Sequence, residues 1–201
     1  REPKMKKQKH IPIGGSEELR KKYCSLLENK EEFRILDVGF GTGTLSLIAI
    51  NHIRENFGNK KIVIYGIDND KYLLDYLHLQ KQEKIFEGQE KILESLAKHR
   101  IFESQNLKIR LLDKDIKQTI NKLPKGFDYV FYDLFGPTEQ EHLWDEDIFK
   151  KLKKKLNPKS KLATHTASTD VRINLVRAGF EPYNGPEIWK GFNCTHAKII
   201  E

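Results

Sequence analysis

The stretch Ile35–Thr44, ILDVGFGTGT, decides the fold. A short apolar run carries an acid, Asp37, and three glycines, Gly39, Gly41 and Gly43, then follow at every second position. Such a run reads as a buried strand. Glycines directly behind it read as a turn where the chain must be bare or adopt left-handed backbone. Beyond the turn, Leu45, Ile48, Ala49 and Ile53 recur at helical spacing. Strand, bare turn and helix open a parallel α/β sheet, in which a ligand sits beyond the C-terminal ends of the strands, where strand order reverses.

The chain alternates outward from there. Residues 33–39, 61–68, 107–113, 127–133 and 160–166 read as strands, separated by helical patterns over 42–56, 69–100 (broken near Gly88), 115–123, 145–156 and 168–179. An earlier helix starts at Ser16, a capping residue, with Leu19, Tyr23 and Leu26/Leu27 on one face. Two short strands, 180–183 and 195–200, close the chain with no helix between them. The predicted fold is α/β: a mostly parallel seven-stranded sheet with an antiparallel hairpin at one edge and helices on both faces. Residues 1–15 read as an extended basic arm and 16–201 as a single domain.

The chain has 201 residues, a net charge of +7 and a pI near 9.2. That balance suits an anionic partner, nucleic acid first. No stretch reaches the roughly 18 apolar residues of a membrane span, and no apolar core follows the basic N-terminus as in a secretory signal. A cytoplasmic protein is expected. Cys24 and Cys194 are far apart and lack zinc spacing, so two buried free thiols are expected and no metal.

A dinucleotide fingerprint places its third glycine where this chain has Thr44. The Gly39–Gly43 loop, with Phe40 and Thr42 between its glycines, therefore leans toward S-adenosylmethionine, which has no pyrophosphate to cradle. A purely structural turn is the alternative. Acids at successive strand ends support the cofactor. Asp37 can hold a water or the ligand's ammonium. Asp68 can accept both ribose hydroxyls, or cap a helix. Asp115 can accept from an adenine amino group, or cap a helix.

Asp133 leaves the fourth strand into Leu134, Phe135, Gly136 and Pro137. Methyl transfer from a sulfonium to nitrogen needs a neutral amine with its lone pair in line. A carboxylate that accepts the amine hydrogens aims that lone pair and favours the charge that builds on nitrogen. Direct proton removal from an alkylammonium by aspartate is uphill by several pKa units. Asp133 therefore reads as orienter and charge stabiliser, with water taking the final proton.

The segments GFGTGT, YDLFGP, LWDEDIFKKL and KLATHTASTDVRINLVRAGFE together resemble the methyltransferase domain of the MnmC family, the tRNA 5-methylaminomethyl-2-thiouridine biosynthesis proteins. The likeness runs from about Phe33 to Ile200, and Asp133 to Phe180 is its most specific part. The resemblance implies a Rossmann-like class I methyltransferase fold. It implies transfer of a methyl group from S-adenosylmethionine to the aminomethyl group of 5-aminomethyl-(2-thio)uridine at the tRNA wobble position. By motif, Gly39, Phe40, Gly41, Thr42 and Gly43 match the cofactor loop, Asp68 the ribose acid, Asp115 the acid near adenine, Asp133 the active-site acid, and Phe135 and Pro137 its neighbours. The anticodon region of tRNA is the implied partner. The chain has no room for the flavin oxidoreductase domain of bifunctional members, so a stand-alone form is expected, with a separate enzyme supplying the aminomethyl-uridine. Two departures stand out: residues 139–143 lack the family's Asn-Pro before the tryptophan, and Thr44-Leu45 replaces Leu-Asn.

Trp144 and Phe135 either stack on a flipped base or belong to the core. Trp189 lies in a Gly/Pro-rich turn that can close over the pocket. His165 ends the fifth strand, where the family often has tyrosine, and faces the site or is a satisfied half-buried histidine. The lysines of residues 150–161 form a solvated face or, beside a tRNA site, contact phosphate. Another RNA or amine substrate, an aminopropyltransferase, and a non-catalytic RNA-binding module with the same fold are the competing functions.

Overall fold

The computed structural model describes residues 15–70, 87–189 and 191–200. The basic arm, except Gly15, and the helical pattern over 71–86 lie outside the described residues, as does the Trp189 side chain. The elements are α1 (Gly15–Leu19) running into a π-helical turn (Arg20–Cys24), β1 (Glu32–Val38), α2 (Thr44–Phe57), β2 (Lys61–Ile67), α3 (Glu90–His99), β3 (Ile101–Glu103), β4 (Leu107–Leu112), α4 (Ile116–Thr119), β5 (Phe127–Tyr132), α5 (Glu146–Lys153), β6 (Leu156–Thr164), α6 (Thr169–Arg177), β7 (Phe180–Trp189) and β8 (Phe192–Ile199).

The strands form one sheet in the order β3-β4-β2-β1-β5-β6-β8-β7. The five central strands β4, β2, β1, β5 and β6 are parallel, and β3, β8 and β7 pair antiparallel. Strand order reverses at β1, so the glycine turn occupies the switch point. One face buries Ile35, Ile64, Ile109 and Phe131 under α2, α3 and the N-terminal segment. The other buries Leu36, Val38, Val130 and Leu162 under α4, α5 and α6. Central strands covered on both faces explain their continuous apolar runs.

The sheet has eight strands rather than the expected seven. The extra one, β3, has three residues, too few for an alternation to show in sequence, and it pairs along the β4 edge that would otherwise stand open. Strand β7 is longer than expected because Gly185 and Pro186, which read as turn residues, lie in an outermost strand, where proline is tolerated. Its register shifts between Asn184 and Glu187. Ser16 lies inside α1 rather than capping it. Asp145 caps α5, accepting from the Ile148 amide at 2.9 Å, and Ser168 caps α6.

The glycine turn and the end of β5 are in backbone contact. Gly39 has φ +89°, and a Cβ there would meet the Asp133 carbonyl oxygen at 2.4 Å. The Asp133 amide donates to the Val38 carbonyl at 2.8 Å, and the Gly39 amide to Ile67 at 2.9 Å. Gly39→Ala combines left-handed strain with a backbone clash, and its expected loss of stability is about 3 kcal/mol. Chemical denaturation checks this; an unchanged midpoint would mean that the two segments part freely.

Candidate active site

Three carboxylates gather around the glycine turn. Asp37 is fully buried on β1; Ser46 of α2 donates to its Oδ2 at 2.5 Å, and its Oδ1 has no partner among the described residues. Burial pushes the Asp37 carboxyl up to about 7, with the Asp133 and Asp68 charges adding to the rise and the Ser46 bond opposing it. Asp68, just past β2, accepts from the Gly41 amide at 2.8 Å and from the Asp70 amide at 2.8 Å. Burial also raises its carboxyl. Asp133 stands at the end of β5.

Gly39, Gly41 and Gly43 all have positive φ. Phe40 is buried and lies over Gly66, where a Cβ would meet its ring at 2.4 Å. Phe40, Gly41, Asp68, Asp70, Leu111 and Asp113 line a cleft beside the turn. These residues fit a cationic ligand with a ribose and a flat base. An orphaned buried carboxylate oxygen awaits a donor, the turn is bare, and apolar walls stand beside an acid. Thr42 and Thr44 hydroxyls bond each other at 2.9 Å.

The Asp133 carboxylate is held from two directions. The Tyr23 hydroxyl donates to Oδ1 at 2.8 Å, and His165 Nδ1 lies 3.0 Å from the same oxygen. Tyr23 is fully buried in the π-helical turn, a widened turn that recurs at functional sites. Burial first, then Asp133, keeps its phenol protonated far beyond the usual range.

The expected site residues fare differently. Asp37, Gly39, Phe40, Gly41, Asp68, Asp133 and His165 converge. Asp115 caps α4, accepting from the Gln118 amide at 2.9 Å, while Asp113 is the acid in the cleft, paired with Arg100 at 2.8 Å. Phe135 is 54% exposed on the loop after β5, and Pro137 is half-buried behind it. Trp144 is only 2% exposed, so it offers no open face for a base. Its indole N–H donates to the Phe135 carbonyl at 3.0 Å, and its ring meets His165 edge-on at 5.9 Å.

The lysine run follows α5 away from the C-terminal end of β5. Helix α5 starts just after Trp144 and runs roughly 12 Å back toward the N-terminal ends of β5 and β6. There the Lys155 carbonyl accepts from the Gly126 amide at 2.8 Å, and the Lys155 ammonium donates to the Asn121 and Leu123 carbonyls. Lys150 and Lys151 pair with Glu146 and Asp147 one turn back, and Lys161 pairs with Glu28. Cys24 and Cys194 are free and buried, their thiols pushed up to about 12 and about 11 by burial. Sequence reasoning missed Tyr23, which looks like any aromatic on a buried stripe. It also passed over Ser46, although a serine inside the run TLSLIAI asks for a polar partner.

Residues 80–198, more than half of the sequence, match a family model described as S-adenosyl-L-methionine-dependent methyltransferase. The chain belongs to that family. A curated relative from Campylobacter hominis, the tRNA 5-methylaminomethyl-2-thiouridine biosynthesis bifunctional protein MnmC, is 27% identical over 181 residues, covering 87% of this chain and 26% of the relative. The MnmC protein of Vibrio vulnificus is 25% identical over 197 residues, covering 84% of this chain and 29% of the relative. The chain thus spans little more than a quarter of these relatives. The crystal structure of MnmC2 from Aquifex aeolicus superposes with a TM-score of 0.70 at 24% identity, covering 93% of this chain and 56% of that one. The resemblance in the motifs and this shared fold agree. Among the described residues, no helix is long and apolar enough to cross a membrane.

Asp37 yields a test with a definite sign. Its folded pKa is about 7 against an ordinary 3.8, so it weakens folding increasingly as pH rises through that window, and not below it. Asp37→Asn is expected to gain stability relative to wild type between pH 5 and pH 8, measured by denaturation at each pH. A cationic ligand favours the ionised form, so its binding near pH 6.5 releases a proton, read as a buffer-dependent heat by calorimetry. A pH-independent difference would mean that Asp37 is ionised throughout.

Proposed function

We propose that the domain formed by residues 16–201 transfers a methyl group from S-adenosylmethionine to the exocyclic amine of 5-aminomethyl-(2-thio)uridine at the wobble position of tRNA, in the cytoplasm. Family membership supports methyl transfer from this donor, and the names of the MnmC relatives support the nucleoside. The observation that carries the reading is the Asp133 carboxylate, held by Tyr23 and His165 at the strand end against which the glycine turn packs.

The cofactor, when bound, supplies an electrophilic methyl group on a sulfonium. The Gly39–Gly43 turn holds its amino-acid end by close backbone approach, and Asp37 takes its ammonium. Asp68 holds the ribose. Phe40, Leu111 and Asp113, which line the cleft, would hold the base, with Asp115, the acid the motif matches there, at the cap of α4. Asp133 accepts the hydrogens of the substrate amine, aims its lone pair and faces the positive charge that grows on nitrogen. Phe135 and Pro137 flank the nucleoside, and exposed Phe135 offers the stacking face. A preceding reaction, on a separate enzyme, makes the aminomethyl-uridine.

Incubation with labelled cofactor and tRNA carrying the unmethylated amine, followed by nucleoside mass analysis, tests the reading. The expected product is the methylaminomethyl nucleoside. Asp133→Ala is expected to slow single-turnover transfer at least about a hundredfold, while cofactor affinity changes less than about tenfold. Normal turnover of that variant removes Asp133 from the chemistry, and label in some other nucleoside reassigns the substrate.

A further inference from the structure

The contacts of Asp133 fix a proton. An ionised carboxylate offers only lone pairs. A ring nitrogen 3.0 Å from Oδ1 must therefore carry the hydrogen between them, which assigns it to His165 Nδ1. In the neutral ring the other nitrogen, Nε2, then holds a bare lone pair. Among the described residues no hydrogen bond engages Nε2. The imidazole packs against a fixed neighbour. Trp144 stands edge-on to it with planes at 90°, pinned by its own N–H on Phe135 and by Asn174 on its carbonyl at 3.0 Å. Tyr23, brought from the other end of the chain, donates its only polar hydrogen to the same Asp133 oxygen and so restrains the carboxylate.

We propose that His165 is the general base of the reaction, its Nε2 taking the proton that the alkylated substrate nitrogen must shed, with Tyr23 as the positioning residue of the Tyr23–Asp133–His165 set. This rests on the amine-methylation reading above and replaces bulk water as the first proton acceptor. The N–H bond of the cationic nitrogen breaks and its electron pair stays on nitrogen. Nε2 binds the proton with its lone pair. The imidazolium so formed faces the Asp133 carboxylate at hydrogen-bonding distance, and the proton then leaves to water.

Two measurements test it. Histidine 15N spectra of the free, full chain, with His165 assigned by its loss in His165→Asn, are expected to show the tautomer protonated at Nδ1. Asp133→Asn is expected to abolish that preference and Tyr23→Phe to weaken it. A dominant Nε2–H tautomer overturns the proposal. In single-turnover assays His165→Asn, which keeps an N–H for Asp133 but offers no base, is expected to be slowed about a hundredfold with cofactor affinity unchanged. Tyr23→Phe is expected to lose rate constant rather than substrate affinity. Wild-type rates in His165→Asn overturn the base. Failure of the wild-type chain to label tRNA would instead overturn the substrate reading, while the tautomer of His165 is decided on the protein alone.

Discussion

Asp37, Asp68 and Asp133 carry like charges to the ends of three neighbouring strands, and the site is built around that conflict. Parallel pairing sets Asp37 beside Gly66 and Phe131, and Val38 beside Ile67 and Tyr132, so the residues that follow, Asp68 and Asp133, emerge level with the turn. Burial makes the repulsion expensive, and Asp37 answers by holding its proton to about pH 7. A cation between the acids relieves all of them together. The glycines are the geometric counterpart: Gly39 lets the turn touch the Asp133 backbone, and Gly66 leaves room for Phe40.

The segment before β1 contributes to the candidate site as the strand ends do. Arg20 bonds His52 and Glu55 on α2, and His196 of β8 bonds the Lys22 carbonyl at 2.6 Å. Between these two attachments Tyr23 reaches Asp133, 110 residues away in sequence. A short, widened helical turn thus ties the Asp133 carboxylate to both α2 and the terminal hairpin.

Charge is distributed against first expectation. The described rim near the turn carries Asp68, Asp70 and Asp113, while Lys150 and Lys151 of α5 pair with carboxylates one turn back and Lys155 beyond it holds carbonyls. Net charge therefore describes the chain as a whole and does not locate its reactive edge.

Much was legible in the sequence. Alternating apolar runs and helical stripes gave the parallel sheet, the glycine spacing gave the switch point, and the acids at strand ends gave Asp37, Asp68 and Asp133, because each depends on residues close together along the chain. Strand β3 and the length of β7 were not legible, since a three-residue strand has no period and an edge strand tolerates prolines that read as turns. Trp144 under His165, Tyr23 on Asp133 and the exchange of Asp113 for Asp115 in the cleft were decided only by tertiary structure. Each is set by packing between elements tens of residues apart, and side-chain direction across such distances leaves no periodic trace in a single sequence.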